Sequence, residues 1–129
     1  MMSYRREDKY LINNIDRKSV ECRIKHFMSI DDNSKDNFSY NVRSVYFDDY
    51  NNSCFFANRD GLDKRFKVRI RIYNKSDKLI KLEVKYKENG YTKKDFCLIS
   101  KELCFKMIRG DLLTINECNH NKVLNKVYL

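Results

Sequence analysis

The stretch KRFKVRIRIYNKSDKLIKLEVKYK, residues 64–87, decides the fold class of this chain. From Phe66 to Ile72, and again from Ile80 to Tyr86, every second residue is apolar and the residues between are charged. A period of two residues is typical of β-strands that have one apolar and one polar face. The four residues 74–77, NKSD, have the composition of a turn. The stretch therefore predicts a β-hairpin of two amphipathic strands.

Elements on both sides extend this hairpin into a larger antiparallel sheet. A turn at residues 88–90 leads into YTKKDFCLIS, residues 91–100, which predicts the next strand of a meander. Residues 40–48 predict a strand before the hairpin, RREDKYLI at residues 5–12 predicts a short one near the start, and KVYL at residues 126–129 predicts a last one. The expected fold class is α+β, an antiparallel meander sheet with helices packed outside it.

Helices are predicted in three places. KELCFKMIR, residues 101–109, follows the capping residue Ser100 and ends at Gly110. Residues 50–61 predict a short helical turn that Gly61 closes. The remaining predicted helix has Asp16 or Ser19 as its cap and Val20, Ile24, Phe27 and Met28 as its apolar stripe.

The length and composition indicate one globular domain. A chain of 129 residues with 42% hydrophobic residues buries a real core and is too apolar for a disordered tail. Charges interrupt every apolar run, and the start lacks the apolar core of a secretory signal, so we expect a cytoplasmic protein without a membrane segment. The cysteines form no CxxC pair, which predicts reduced and mostly buried thiols. They are Cys22, Cys54, Cys97, Cys104 and Cys118.

The net charge of +9 matters through its placement on the hairpin. Arg and Lys fill every polar position of the two strands except one, which Glu83 occupies. Polar faces of sheets usually mix both signs, because like charges across a ladder repel each other. An ordinary solvated face is one interpretation, and a surface for phosphate groups is the other. Glu83 is interpreted either as a cross-strand ion-pair partner or as a ligand for a divalent cation.

The sequence contains no motif for a nucleotide-binding loop, a zinc site or a catalytic histidine. There is no GxxxxGK[ST] loop, no GxGxxG motif and no zinc pattern, and His26 and His120 lack a partner at a recognisable spacing. A single-stranded nucleic-acid platform needs exposed aromatic residues beside the cations. Most of the relevant tyrosines share the phase of the apolar face or lie at strand ends, so no nucleic-acid partner is expected. These tyrosines are Tyr40, Tyr46, Tyr73 and Tyr86.

Five short motifs in order resemble the VTC domain over about residues 4–105. This domain is the polyphosphate polymerase branch of the triphosphate tunnel metalloenzymes, in the CYTH-like superfamily, whose wider group includes thiamine triphosphatases and one class of adenylate cyclases. The motifs are R-x-E-x-K-Y (Arg5, Glu7, Lys9, Tyr10), S-V-Y-F-D (Ser44 to Asp48), R-I-R-x-Y (Arg69, Arg71, Tyr73), L-E-V-K (Leu82 to Lys85) and a basic strand with Lys93.

The resemblance implies a tunnel, or barrel, of antiparallel strands lined by inward Lys and Arg. ATP or polyphosphate threads it with the help of a divalent metal, Mn²⁺ or Mg²⁺, and the terminal phosphoryl group of ATP passes to a growing polyphosphate chain. Carried over by position, Arg69, Arg71 and Lys85 are the expected catalytic residues. Lys9, Arg69, Arg71, Lys85 and Lys93 are the expected phosphate-binding residues, and Glu83 and Glu7 are candidate metal ligands.

The chain departs from the family pattern in length. Family domains are roughly twice as long, so residues 1–129 are expected to form the N-terminal half of one tunnel domain. Asp95 also stands where the family often has a basic residue. One alternative is a non-catalytic module that binds polyphosphate or triphosphate. A tunnel triphosphatase is disfavoured, because Arg5 replaces the first acid of that branch's E-x-E-x-K start. Open sheet edges suggest a dimer that completes the wall.

Overall fold

Five antiparallel strands form one sheet in the computed structural model, which describes residues 4–34 and 39–111. The strands are β1 (Arg5–Arg6), β2 (Val42–Phe47), β3 (Arg65–Tyr73), β4 (Ile80–Glu88) and β5 (Tyr91–Ile99). Their order in the sheet is β1-β5-β4-β3-β2. The antiparallel meander is thus confirmed. In the described residues the sheet is open, with β1 and β2 at its edges, so closure into a tunnel stays a prediction.

Three α-helices accompany the sheet in the described residues, α1 (Asn14–Ile24), α2 (Ser53–Arg59) and α3 (Lys101–Arg109). The start of α3 is the one predicted, because Ser100 accepts a hydrogen bond from the backbone N–H of Leu103. Gly110 ends α3 with φ of 79°, a left-handed conformation that glycine adopts without steric cost. The predicted strand at residues 126–129 lies outside the described residues.

Two tight turns fix the register of the meander. Asn74 and Lys75 both have positive φ in the β3–β4 turn, and Asn89 and Gly90 both have positive φ in the β4–β5 turn. Two such central residues are what a type I′ turn requires. The β4–β5 turn is a two-residue hairpin turn of this type, whereas in the β3–β4 connection residues 76–79 follow the turn before β4 begins. Asp63 supports the second turn, because its Oδ2 accepts a hydrogen bond of 2.8 Å from the backbone N–H of Asn89. Glu83 is thereby paired with residue 69 on one side and with residue 96 on the other.

The core lies on the apolar face of β3, β4 and β5. Leu82 and Val84 have no exposed surface, and Met107 of α3 belongs to the same buried cluster. Burial of an aliphatic side chain of this size contributes roughly 2 kcal/mol to the free energy of unfolding. This cluster holds α3 against the sheet, as the inward apolar face of the helix predicted. Its other members are Val68, Ile70, Ile80 and Cys97.

The described residues divide into two units. One contains the sheet, α2 and α3, and the other, residues 8–41, contains α1 and a short 3₁₀ turn at Asp32–Ser34. The side chain of Asn13 caps α1 by accepting hydrogen bonds from the backbone N–H groups of Ile15 and Asp16. Among the described residues, no helix has the length and apolar character that a membrane crossing needs.

Several local predictions near the start of the chain are wrong. The strand predicted over residues 5–12 comprises only Arg5–Arg6, because neither of its faces is apolar enough to pack on a core. Asn13 caps α1 instead of Asp16 or Ser19, since its side chain is the one at hydrogen-bonding distance from the first turn. The predicted stripe is exposed: Val20 and Ile24 lie on α1 without being buried, and Phe27 lies beyond its end with 88% of its surface accessible.

The cysteines are less buried than predicted, and their reduced state stays a prediction. The four cysteines in the described residues are all free thiols. Only Cys97 among them is buried, because it alone points into the core of the sheet. Cys22 is exposed on α1, and Cys54 and Cys104 are partly buried. Cys118 lies outside the described residues.

Candidate functional site

One face of the sheet, here called the basic face, gathers the charged residues of three neighbouring strands. The register places eight cations of β3, β4 and β5 on the side opposite to the core. Glu83 is the one acid that these three strands place there. The cations are Arg65, Lys67, Arg69, Arg71, Lys81, Lys85, Lys87 and Lys94.

Glu83 lies at the centre of the basic face and is only 1% exposed. Its Oε2 accepts from Arg69, at 2.7 Å from Nε and 2.6 Å from Nη2. Its Oε1 lies 3.6 Å from Nζ of Lys94 and has no hydrogen-bond partner in the described part of the chain. A buried carboxylate between two cations fixes the Arg69 guanidinium in one orientation. The cross-strand ion pair is thus the interpretation of Glu83 that the geometry supports.

Two polar residues of β2 hold the arginines from the other side. The hydroxyl of Tyr46 accepts a hydrogen bond of 3.1 Å from Nη1 of Arg69, and the hydroxyl of Ser44 accepts one of 3.1 Å from Nε of Arg71. The hydrogen bond from Arg69 is the main reason that the pKa of the Tyr46 phenol is lowered. Although desolvation opposes it, contacts with Tyr46 and Glu83 raise the pKa of Arg69, so this guanidinium stays charged.

The remaining cations differ in how they are neutralised. Nζ of Lys85 lies 2.9 Å from a carboxylate oxygen of Glu7, which follows the edge strand β1. Nζ of Lys81 lies 5.2 Å from the ring centre of Tyr73 and 5.6 Å from that of Phe96, within cation–π range. In the described residues of this unit, Lys67, Lys81 and Arg71 have no ion pair with an acid. Positive charge therefore remains available on the basic face.

The structure brings together most of the predicted site residues but not all. Arg69, Arg71 and Lys85 share the basic face with Glu83, and Glu7 reaches it through Lys85. Lys93 instead pairs with Tyr86 on the opposite face and makes an ion pair of 3.2 Å with Asp95. Lys9 belongs to the unit of residues 8–41, which is described by itself.

Lys94 is the basic-face residue that the sequence interpretation missed. It lies directly opposite Lys85 in the β4–β5 ladder. The Asn89–Gly90 dipeptide was a usable signal, because a two-residue type I′ turn pairs its flanking residues and fixes the phase of the next strand. Lys93 was named instead because the family resemblance carries a basic residue over to that position.

The acids named as metal candidates are paired with cations in the described residues, and a divalent cation at this site stays a prediction. In residues 4–34 and 39–111, no three His, Cys, Asp or Glu side chains lie close enough together to hold a metal ion. Glu83 is engaged by Arg69 and Lys94, and Glu7 is engaged by Lys85. The unpartnered Oε1 of Glu83 already faces an ammonium group, so the charge that a metal would supply is present there.

The tyrosines are arranged differently from the expectation. Tyr46 lies on the basic face with 56% of its surface exposed, because the pairing of β2 with β3 puts it directly opposite Arg69. Tyr73 also lies on that face, beside Lys81, whereas Tyr86 lies on the apolar face. The argument from tyrosine position against a nucleic-acid partner is therefore wrong for Tyr46, whereas Tyr73 is the last residue of β3 as that argument allowed. The expectation of no such partner stays a prediction.

Comparison with known proteins supplies one match. A family model described as VTC domain matches residues 4–128. Comparison with curated proteins finds no match, and comparison with solved structures finds no match either. The matched span covers nearly the whole chain and includes every strand and helix described above.

Proposed function

The chain belongs to the VTC domain family, and from this premise we propose that its basic face binds the phosphates of ATP or of a polyphosphate chain. We further propose that this face positions them for transfer of a phosphoryl group. The family is linked to polyphosphate and triphosphate chemistry. A surface of Lys and Arg side chains on strands is suited to such anionic ligands.

The observation that carries the proposal is the charge of the basic face. Its one acid on β3, β4 and β5 is buried and already paired, so the exposed charged groups of these strands there are cations, beside the apolar side chains of Phe96 and Leu98. Repulsion between neighbouring cations such as Lys67 and Lys85, which are directly opposite, costs stability in the free protein. A chain of phosphates relieves that repulsion along its whole length, and strands hold the cations at a fixed spacing for it.

The chemistry needs little beyond this arrangement. Phosphoryl transfer depends on positioning and on neutralising the charge of the transferring group. Arg69 is preorganised by Glu83 and Tyr46, and Arg71 by Ser44. Guanidinium groups bind two phosphate oxygens at once, so this pair is suited to the phosphate that moves. Lys85 and Lys94 are placed to hold flanking phosphates.

Calorimetry with tripolyphosphate tests the binding part. We expect Arg71→Gln to weaken binding by about tenfold, the value of one charge-assisted hydrogen bond. Arg71 is a cleaner target than Arg69, because its partner Ser44 is neutral and no buried carboxylate is left behind. Arg43→Gln is the matched control, since Arg43 is exposed and pairs with Ile72 on the other face. Equal effects of the two changes would contradict the proposal.

An assay of ATP turnover distinguishes the polymerase from the non-catalytic module and the triphosphatase. The unsubstituted chain and the double variant Arg69→Ala plus Arg71→Ala are incubated with labelled ATP, with Mn²⁺ or Mg²⁺ or with a chelator. Polyphosphate that forms with metal and disappears in the double variant supports the polymerase. Binding without turnover indicates the non-catalytic module, and release of inorganic phosphate alone indicates the triphosphatase. Sedimentation at several protein concentrations tests the expected dimer.

A further inference from the structure

Tyr46 brings a hydroxyl group to the basic face beside the guanidinium of Arg69. The pairing of β2 with β3 places the two residues directly opposite each other, and the phenolic oxygen lies 3.1 Å from Nη1 of Arg69. The function proposed above uses Tyr46 only to orient Arg69. A tyrosine hydroxyl can also act as a nucleophile toward phosphorus, because its oxygen forms covalent bonds in group-transfer reactions.

The contacts of Arg69 leave room for a phosphate next to this hydroxyl. A guanidinium has five N–H donors. Those on Nε and Nη2 are directed at Glu83, and one on Nη1 is donated to Tyr46. The other N–H of Nη1 makes no contact with the described part of the chain. A phosphate oxygen that accepts from it shares one nitrogen atom with the Tyr46 oxygen, so phosphate and hydroxyl are immediate neighbours.

The hydroxyl can be approached from outside the sheet. Tyr46 exposes 56% of its surface, because β2 is an edge strand of the described sheet. Its side chain also lines a cavity of about 520 Å³ at the end of β2, together with Lys67 of the basic face. A triphosphate on the basic face therefore meets the hydroxyl without a rearrangement of the strands.

The charges around Tyr46 favour a negative oxygen at this position. The hydrogen bond from Arg69 lowers the pKa of the phenol although desolvation opposes it, and the charges of Arg71 and Lys67 act in the same direction as the hydrogen bond. The ionised form is the more nucleophilic one. A phosphate group on this oxygen would carry nearly two negative charges, and the same three cations stabilise it.

Ser44 is the other hydroxyl that β2 directs at the arginines. It accepts a hydrogen bond of 3.1 Å from Nε of Arg71. An aliphatic hydroxyl ionises far less readily than a phenol and needs an adjacent base to become a nucleophile. Glu83, the one acid of β3, β4 and β5 on this face, is already engaged by Arg69. Tyr46 is therefore the better acceptor of the two.

We propose that Tyr46 accepts the terminal phosphoryl group of ATP, so that the chain phosphorylates itself. The inference rests on the proposed function, because it requires ATP phosphates on the basic face. The phenolic oxygen forms a bond to the γ-phosphorus. The bond from that phosphorus to the β–γ bridging oxygen breaks, and ADP leaves with the electron pair. The phenolic proton passes to solvent, which reaches the exposed side chain.

The test is mass spectrometry of the full chain after incubation with ATP and Mg²⁺ or Mn²⁺. Cleavage by trypsin after Arg43 and Arg59 releases residues 44–59, which contain Ser44, Tyr46 and Tyr50 in one peptide. Fragmentation of this peptide locates the phosphate. Tyr50 is the internal control, because it is fully exposed and lies outside the strands. We expect Tyr46 to carry about tenfold more phosphate than Tyr50, the value of one charge-assisted hydrogen bond to the acceptor.

Two variants complete the test. Tyr46→Phe retains the ring and removes only the hydroxyl, so labelling of the peptide from ATP carrying a radioactive γ-phosphate should disappear. Arg71→Gln leaves the Tyr46 hydroxyl in place and weakens the hold on phosphate, so labelling should fall by about tenfold. The phosphate on Tyr46 is located on the unsubstituted chain, and the result therefore does not depend on the folding of either variant.

The outcomes are distinguishable. Phosphate on Ser44, equal phosphate on Tyr46 and Tyr50, or none on this peptide overturns the acceptor site. The proposed function still stands in those cases if Arg71→Gln weakens tripolyphosphate binding. If Arg71→Gln leaves tripolyphosphate binding unchanged, the proposed function fails. The inference then fails with it, because a label on Tyr46 would not depend on the basic face.

Discussion

The buried carboxylate of Glu83 and the guanidinium of Arg69 are directly opposite each other on neighbouring strands, with Oε2 2.6 Å from Nη2. Glu83 is 1% exposed, and the side chain of Arg69 is 14% exposed. Such a pair adds little net stability over an apolar pair, but removing one member is costly because the other charge stays buried. The contact therefore bears on both the stability of the sheet and the orientation of Arg69.

Removing the Glu83 carboxylate should destabilise the protein strongly. Glu83→Ala leaves Arg69 and Lys94 close together without their shared acid, and we expect a loss of about 3 kcal/mol in the free energy of unfolding. Urea unfolding of the full chain measures it. Glu88→Ala is the control, because its ion pair with Lys64 is exposed and should contribute less than about 1 kcal/mol. Equal losses in the two variants would show that Glu83 is not the electrostatic centre.

Releasing Lys85 should strengthen anion binding. Glu7→Gln removes the carboxylate that lies 2.9 Å from Nζ of Lys85 and makes the basic face more positive. We expect tripolyphosphate to bind a few-fold more tightly, about the value of one partly exposed ion pair. Calorimetry at two salt concentrations checks this, because added salt should weaken the variant's binding more steeply. Weaker binding by Glu7→Gln would instead indicate that Glu7 positions Lys85 for the phosphates.

Tyr46 should ionise at a lower pH than an ordinary tyrosine. The hydrogen bond from Arg69 lowers the pKa of Tyr46 below its ordinary value, so the tyrosinate is favoured by folding. Because the pKa of Tyr46 is lower in the folded than in the unfolded state, this group stabilises the fold above its unfolded pKa. That stability is lost as the pH falls through its folded pKa. Near-ultraviolet absorbance should show an early tyrosinate step that Tyr46→Phe removes. Tyr50→Phe, at an exposed tyrosine, should leave that step in place.

Cys54 should react slowly with thiol reagents. Burial and the nearby Asp48 carboxylate raise its pKa to about 11, so little thiolate forms at neutral or mildly alkaline pH. Cys22 is exposed on α1 and should be alkylated much sooner. Peptide mapping by mass spectrometry after brief treatment with iodoacetamide compares the two sites. Asp48→Asn should speed alkylation of Cys54, and an unchanged rate would show that the carboxylate is not a cause.

The cap of α3 should be worth a measurable amount of stability. Ser100→Ala removes the hydroxyl that accepts a hydrogen bond of 3.1 Å from the backbone N–H of Leu103. A lost N-cap costs about 1 kcal/mol. Because Met107 of the same helix is in the core, the loss should appear in global urea unfolding. Ser100→Asp retains an acceptor and should restore most of the stability, which a merely steric role for Ser100 does not predict.

Local sequence signals were sufficient for most of the sheet and for α3. Alternation over residues 64–87 predicts both strands of the hairpin, because one face of each must be buried. Ser100 and Gly110 mark the ends of α3 because capping depends on residues within one turn. The same reasoning failed over residues 5–12, where neither face is apolar and the pairing with β5 extends only to Arg6.

The site was predicted in part for the same reason. Arg69, Arg71 and Lys85 were placed correctly on one face, because the period of a strand fixes the phase of residues within it. Lys93 was named from the family resemblance, and the turn between β4 and β5 places it on the opposite face, so its role in phosphate binding stays a prediction. One residue more or one residue fewer in the turn at Asn89–Gly90 would put Lys93 on the basic face and Lys94 on the opposite face.

The sequence by itself determined that this chain forms an antiparallel sheet with one apolar face and one face rich in Arg and Lys. It did so because side-chain alternation is a property of each strand alone. Only the tertiary structure decided that Glu83 is buried between Arg69 and Lys94, that Tyr46 holds Arg69, and that a cavity adjoins them. These contacts join residues on different strands, and cross-strand neighbours follow from register and turn geometry, which no single segment encodes.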